Sequence, residues 1–198
     1  EAGGDLGRVR DNVRCQHCYI SEGPTGKQGK QELTTAEVKR ILDEITAAGT
    51  LWLLLTGGEP LIRRDFPELY TYAKQKGLLL TLFTNGTLLT PRLADLLAEW
   101  RPRKIEITLY GATQATYERI TGVPGSYARC VRGIELLLER NLPLSLKTMV
   151  MTLNKHELSD MQAYAHSLGV EFRFDAMLND TLPDGCGHPA DLRLTPEE

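Results

Sequence analysis

The sequence predicts an α/β protein built as a partial (β/α)6 TIM-like barrel, with parallel strands inside and helices outside. Three observations lead to this prediction. Short apolar runs recur along the chain, segments with helical spacing separate them, and polar or glycine residues follow each run directly. Strands and helices that alternate in this way form right-handed β/α units around a parallel sheet.

The predicted strands are rich in leucine, isoleucine and valine, and each is short enough to be a single strand. They span 51–55, 78–83, 105–109, 142–151 and 171–177. Their apolarity is nearly continuous and does not alternate, which is typical of strands buried on both faces of a parallel sheet. We therefore expect both faces of the sheet to be covered.

The predicted helices lie between the strands and carry recognisable start signals. They span 34–48, 65–76, 91–100, 113–120, 126–140 and 156–168. Thr34 with Glu37 forms a capping-box pattern, and Thr90 before Pro91 marks a second helix start. These signals fix the helix positions more firmly than the apolar spacing alone does.

Polar and glycine residues gather at the predicted carboxyl ends of the strands, which form the active face of a β/α barrel. These segments are 56–60, 84–87, 110–113, 154–155 and 179–180. A closed barrel of eight units needs about 250 residues, whereas this chain shows five clear units. A sixth strand is needed before residue 11, yet residues 1–10 contain no apolar run. An open doubly wound sheet is the structural alternative.

The domain organisation follows from these segments. We expect residues 1–33 to be an N-terminal segment with a cysteine loop, residues 34–180 to be the barrel core, and residues 181–198 to be a linker toward a missing C-terminal domain. The last four residues, from Thr195 to Glu198, have the Thr-Pro-Glu pattern of a helix start with no helix after it.

Composition excludes several function classes. The 198 residues are 41% hydrophobic and 25% charged, which suits one globular core. A net charge of −3 argues against a nucleic-acid partner, and no apolar run approaches the roughly 20 residues that span a bilayer. Four cysteines, with only two close together, do not form a disulfide framework and favour a reducing cytoplasm.

The cysteine run, residues 11–19, contains Cys15 and Cys18 in a Cys-x-x-Cys-Tyr pattern, with Asp11 four residues ahead of Cys15. Thiolates are the usual ligands of iron–sulfur clusters, and a close cysteine pair in a non-secreted protein is often metal-binding or catalytic. A redox or zinc pair is an alternative, although two cysteines supply only half of a zinc site.

A second motif, Gly57-Gly58-Glu59-Pro60, follows the first predicted strand. The glycines let the backbone bend sharply or approach a ligand closely, and Glu59 would then direct a carboxylate into the active face. A plain turn with a solvated glutamate is an equally good interpretation of this motif taken alone.

Together the two motifs resemble the radical S-adenosylmethionine (SAM) superfamily. The resemblance implies that Cys15 and Cys18 are the second and third cysteines that bind a [4Fe-4S] cluster, that Asp11 occupies the first cysteine's place, and that Tyr19 is the usual aromatic. It further implies that the segment from Gly57 to Pro60 contacts the methionine amino group of SAM. In the family, the reduced cluster cleaves SAM and the resulting 5′-deoxyadenosyl radical abstracts hydrogen from a substrate.

The resemblance extends to the following strands. Thr84 and Asn85 match the family's third strand end, and Thr108 keeps the hydroxyl of the fourth strand end, where Tyr110 replaces an acid. These residues are therefore predicted to contact the cofactor. Lys147, on the next strand, is predicted to lie near the cofactor's carboxylate, although a lysine on a strand is more often a solvated edge residue.

The segments 110–113 and 121–127 resemble the branch that carries a C-terminal SPASM domain and modifies peptides. This implies a radical SAM enzyme with a peptide or protein substrate, an external electron donor, and a SPASM-like domain beyond residue 198. The alternative is a catalytically inactive relative that binds peptide or SAM, because Asp11 stands where a cysteine is expected.

Three further side chains have simpler interpretations. Cys130 lies in the apolar pattern of a helix and is predicted to be a small buried hydrophobe. Cys186 is predicted to be a free loop thiol, because no second cysteine is spaced to complete a site with it. His17 is predicted to have a hydrogen-bonding or solvent-facing role.

Overall fold

Five parallel strands form the frame of the protein. The computed structural model describes residues 11–18, 32–179 and 189–195. Within them, the strands β1 (Trp52–Leu55), β2 (Leu79–Thr84), β3 (Lys104–Thr108), β4 (Leu144–Met149) and β5 (Glu171–Asp175) make one sheet in the order β1-β2-β3-β4-β5. Every neighbouring pair is parallel, so the predicted α/β class with a parallel sheet is confirmed.

Helices connect the strands, and the two helices with predicted capping signals begin at those signals. They are α1 (Thr35–Ala47), α2 (Phe66–Gln75), α3 (Pro91–Glu99), α4 (Gln114–Thr121), α5 (Ser126–Leu138) and α6 (Leu158–Ser167). The Thr34 hydroxyl accepts from the Glu37 N–H at 3.3 Å, and the Glu37 carboxylate accepts from the Thr34 N–H at 2.8 Å, which confirms the capping box. The Thr90 hydroxyl accepts from the Leu93 N–H at 3.2 Å. Each helix and strand starts and ends within two residues of its predicted bounds.

The core lies between the helices and one face of the sheet, which we call the outer face. Leu80, Leu82, Ile105, Ile107 and Leu146 project from this face and are fully buried. Burial of a leucine or isoleucine side chain stabilises a fold by roughly 1.5–3 kcal/mol, so this layer is the main source of stability. Cys130, on α5, is buried in the same cluster, as predicted.

The opposite face of the sheet, the inner face, has a different composition. On β1, Trp52 is 63% exposed and Leu54 is 45% exposed. On β3 to β5 this face carries Lys104, Glu106 and Arg173, which pair with one another. The expectation that both faces are covered is therefore wrong for the described residues, because β1 is an edge strand and its inner side chains lack a covering layer there.

Some predicted features lie outside the described residues. The strand expected before residue 11, Tyr19, Cys186, and the helix start after Thr195 belong to this group. Among the residues that the structure does describe, no helix is long and apolar enough to cross a membrane.

Candidate active site

The glycine motif forms the loop after β1. Gly57 has a φ of 137°, a conformation that favours glycine. Pro60 begins a short 3-10 turn, Pro60–Ile62, whose amino end is capped by Glu59: the carboxylate accepts from the Leu61 N–H at 3.0 Å. The motif is therefore a tight bend followed by a fixed turn.

The Glu59 carboxylate is buried and connects this loop to the end of β2. It is only 2% exposed, and it accepts hydrogen bonds from the Thr84 hydroxyl at 2.8 and 3.0 Å and from the Asn85 N–H at 2.8 Å. Burial raises the pKa of Glu59 to about 7, although these hydrogen bonds act in the opposite direction. The carboxylate thus contacts the end of β2, within the predicted active face, and is buried there among its donors.

The Asn85 loop, residues 85–87, connects the end of β2 to the cysteine run. The Asn85 side-chain amide donates to the Asn12 carbonyl oxygen Oδ1 at 3.0 Å, and the Asn12 amide donates to the Thr87 hydroxyl at 2.8 Å. The Thr87 hydroxyl in turn donates to Asn85 Oδ1 at 2.7 Å. Asn12 and Thr87 were not identified from the sequence; the only available signal was that asparagine is common in turns.

The cysteine run is also attached on its other side, to the end of α4. The Arg14 N–H donates to the Thr121 carbonyl at 2.7 Å, and the Gln16 N–H donates to the Ile120 carbonyl at 3.0 Å. The approach is close, since a Cβ on Gly122 would lie 3.2 Å from the Arg14 carbonyl oxygen. The cysteine run therefore packs against the start of the 121–127 segment and is hydrogen-bonded to it.

The two thiols lie in one turn, in which the Cys18 N–H donates to the Cys15 carbonyl at 3.0 Å. Neither forms a disulfide. Burial raises the pKa of Cys15 to about 12, and the nearby charges of Asp11 and Cys18 act in the same direction. Cys15 is therefore a neutral thiol in the protein without a bound metal.

His17 packs against Tyr110, with ring centroids 5.2 Å apart. Burial lowers the pKa of His17 to about 4, and its Nδ1 is a buried atom without a hydrogen-bond partner. The structure shows no hydrogen bond for this nitrogen, and the His17 side chain as a whole is half-buried against Tyr110.

Asp11 forms contacts with the backbone of the cysteine run and with the Asn85 loop. Its Oδ1 accepts from the Val13 N–H at 3.0 Å and lies 3.4 Å from the Asn85 side-chain amide nitrogen. Across 11–18, 32–179 and 189–195, no three histidine, cysteine, aspartate or glutamate side chains are arranged to hold a metal ion. Cys15 and Cys18 fit two positions of an iron–sulfur cluster, but the described donors do not make a set of three.

Lys147 lies on the inner face, in a charged network centred on Glu106. The Glu106 carboxylate accepts from Arg173 at 2.6 Å, and it lies 3.1 Å from Lys104 Nζ and 3.7 Å from Lys147 Nζ. Burial lowers the pKa of Lys147 to about 8, while the Glu106 charge partly offsets this effect. The Lys147 ammonium also lies 3.2 Å from the centre of the Phe83 ring.

Thr108 is the register partner of Lys147 on the neighbouring strand, so the two predicted cofactor residues lie side by side. Glu106, which lies near the Lys147 ammonium, and Arg173, which binds Glu106, were not identified from the sequence. No pattern in the sequence signals this pairing, because the two residues are 67 positions apart.

A further buried carboxylate, Glu157, supports the loop after β3. It accepts from the Ala112 N–H at 2.7 Å, from the Thr113 N–H at 3.0 Å and from the Thr113 hydroxyl at 2.7 Å. Burial alone would raise the pKa of Glu157, but these donors and Thr116 lower it below its ordinary value. Glu157 therefore caps the entry to α4 and fixes the loop that follows Tyr110.

Comparisons with known proteins agree with this arrangement. The family model of the Radical SAM superfamily matches residues 12–167. An AdoMet-dependent heme synthase of Methanosarcina barkeri is 35% identical over 158 residues, which are 80% of this chain and 45% of that protein. The mycofactocin maturase MftC of Mycobacterium tuberculosis is 30% identical over 190 residues, 94% of this chain and 46% of that protein. The chain thus spans less than half the length of these relatives.

Solved structures share the fold. SuiB of Streptococcus suis bound to S-adenosylmethionine has a TM-score of 0.75 at 15% identity, covering 88% of this chain and 40% of SuiB. The enzyme anSMEcpe with bound AdoMet has a TM-score of 0.71 at 15% identity, covering 90% of this chain and 52% of that one. The predicted partial-barrel fold is therefore confirmed, and the family match over 156 of the 198 residues (12 to 167) shows that this chain belongs to the radical SAM superfamily.

Proposed function

We propose that this chain is the core of a radical SAM enzyme that acts on a peptide or protein. One observation carries the proposal beyond family membership. The glycine loop, the Asn85 loop and the cysteine run meet at one end of the sheet through hydrogen bonds of Glu59, Asn85 and Asn12. The glycine loop and the thiol pair thus lie near each other at the carboxyl ends of parallel strands, where β/α proteins bind ligands, and this supports a cofactor site there.

Each predicted cofactor residue has a role that its position supports. Gly57 and Gly58 present backbone without a Cβ to the amino group of SAM, and Glu59 and Pro60 keep that backbone in place. Thr84 and Asn85 lie at the end of the neighbouring strand β2, and they donate hydrogen bonds to the Glu59 carboxylate.

On the inner face, Thr108 and Lys147 offer a hydroxyl and an ammonium to the carboxylate of SAM. Cys15 and Cys18 would hold a [4Fe-4S] cluster, which would supply electron transfer to SAM from an external donor.

The proposed substrate class rests on the relatives. MftC is a maturase, and SuiB has been solved with its precursor peptide SuiA, at a TM-score of 0.72 and 15% identity to this chain. A porphyrin is the competing substrate, because the heme synthase of Methanosarcina barkeri is 35% identical. A SPASM-like domain following residue 198 and a cytoplasmic location complete the proposal.

A second candidate function is a relative that binds SAM or peptide without cleaving SAM. The observation that favours it is the position of Asp11, whose Oδ1 is bonded to Val13 and adjacent to Asn85 and which, within the described residues, forms no set of three donors with Cys15 and Cys18. The two candidates differ in cluster content and in product.

Anaerobic reconstitution with iron and sulfide separates them. The enzyme proposal expects about four irons per chain, an EPR signal after reduction, and 5′-deoxyadenosine from SAM. SAM binding by calorimetry without 5′-deoxyadenosine would support the second candidate and overturn the first. Adding a peptide or an iron porphyrin to separate reactions, and asking which one increases 5′-deoxyadenosine formation, tests the substrate class.

A further inference from the structure

The cysteine run is held in place by protein groups on both sides. Its backbone donates to the Thr121 and Ile120 carbonyls on one side, and its Asn12 side chain bonds to the Asn85 loop on the other. These hydrogen bonds attach the run to the end of α4 and to the end of β2.

Asp11 is the first residue of this attachment. Its Oδ1 accepts from the Val13 N–H two residues ahead, which is an Asx turn, and the same oxygen lies 3.4 Å from the Asn85 amide. The turn places Asn12 so that its amide reaches the Thr87 hydroxyl at 2.8 Å and its oxygen reaches Asn85 at 3.0 Å. These contacts require an oxygen acceptor at position 11, but they do not require a negative charge there.

We propose that Asp11 is a positioning residue, which uses the Asx turn and Asn12 to link the thiol turn to the Asn85 loop, and that it is not a cluster ligand. The inference about ligation rests on the proposed function, whereas the link itself does not. Asparagine at position 11 preserves the acceptor oxygen and removes the carboxylate, while alanine removes both. These two variants therefore separate a linking role from a ligating role.

The first measurement uses the chain without iron. Alkylation of Cys15 by iodoacetamide is followed by peptide mass spectrometry, with the buried Cys130 as the reference for opening of the whole fold. The proposal expects D11N to react at the wild-type rate and D11A to react roughly tenfold faster at Cys15 only, because hydrogen bonds that close the loop are lost. T87V removes the Asn12 contact from the opposite side and is expected to have the same effect as D11A. Equal Cys15 rates in all four proteins would overturn the link.

The second measurement is iron per chain after anaerobic reconstitution. The proposal expects D11N to retain the wild-type iron content and an unchanged EPR spectrum. Loss of iron in D11N, at an unchanged Cys15 alkylation rate, would show that the carboxylate is a ligand and would overturn the proposal. If the wild-type chain itself binds no iron, the enzyme function fails, and the alkylation rates still decide whether Asp11 links the loops.

Discussion

Replacing Glu59 by glutamine is expected to remove a pH-dependent part of the folding stability. Burial raises the pKa of this carboxyl group from 4.5 to about 7 in the folded protein. Because the folded pKa lies above the unfolded one, the folded state binds the proton more tightly. The stability that Glu59 contributes is therefore complete below about pH 4.5 and is lost as the pH rises through about 7.

The size of the effect follows from these two values. At about 1.4 kcal/mol for each tenfold change in proton affinity, the rise from 4.5 to about 7 corresponds to roughly 3 kcal/mol. Most of this, ~2.5 kcal/mol, falls between about pH 5 and about pH 8. Glutamine also has an NH2 group in place of one carboxylate oxygen, so either the Asn85 or the Leu61 N–H loses its acceptor. This loss costs about 1–2 kcal/mol at every pH. Only the pH-dependent part identifies the titrating carboxyl group.

Urea unfolding of the wild-type protein and of E59Q, at about pH 5 and at about pH 8, measures the pH-dependent part of the stability. The difference in unfolding free energy between the two proteins is expected to shift by ~2.5 kcal/mol in favour of E59Q at the higher pH. An exposed glutamate on α1 provides the control, since E44Q is expected to follow the wild-type protein at both pH values. A wild-type to E59Q difference that is the same at both values would refute the reasoning.

Three further substitutions test other contacts of the site. G133A places a Cβ 2.3 Å from the Gly86 carbonyl oxygen and is expected to lower the unfolding free energy in urea by ~2 kcal/mol; an unchanged value would mean that α5 can move away freely. E157A leaves the Thr113 N–H and hydroxyl unpaired and is expected to cost about 3 kcal/mol in the same assay, whereas a loss below ~1 kcal/mol would show that water replaces the carboxylate. K147M is expected to weaken SAM binding about tenfold in calorimetry, and an unchanged affinity would exclude Lys147 from the carboxylate site.

The sequence predicts the elements of this fold well, because each of them leaves a local signal. Thr34 with Glu37, and Thr90 before Pro91, mark helix starts that the structure reproduces. The apolar runs locate the strands for the same reason. The covering of the inner face could not be predicted, because apolar side chains such as Trp52 look the same in a strand whether its inner face is buried or open.

The candidate site also has one part that the sequence predicts and another that it does not. Glu59 and Asn85 were both predicted to lie at the active face, and the structure brings them into contact because they follow neighbouring parallel strands. The direction of the Glu59 carboxylate depends on partners 25 and 26 positions away, which the motif does not encode. The Asn12 to Thr87 contact joins residues 75 positions apart, so only the folded chain reveals it.

The Glu106 network has a consequence for the response of the sheet to its solvent. Arg173 is 47% exposed at its side chain, whereas the Glu106 carboxylate that it binds is almost fully buried. Dissolved salt screens exposed charges more than buried ones, so the attraction between β3 and β5 weakens with ionic strength. High ionic strength is therefore expected to loosen the inner face of the sheet first at β5, where Arg173 is open to solvent.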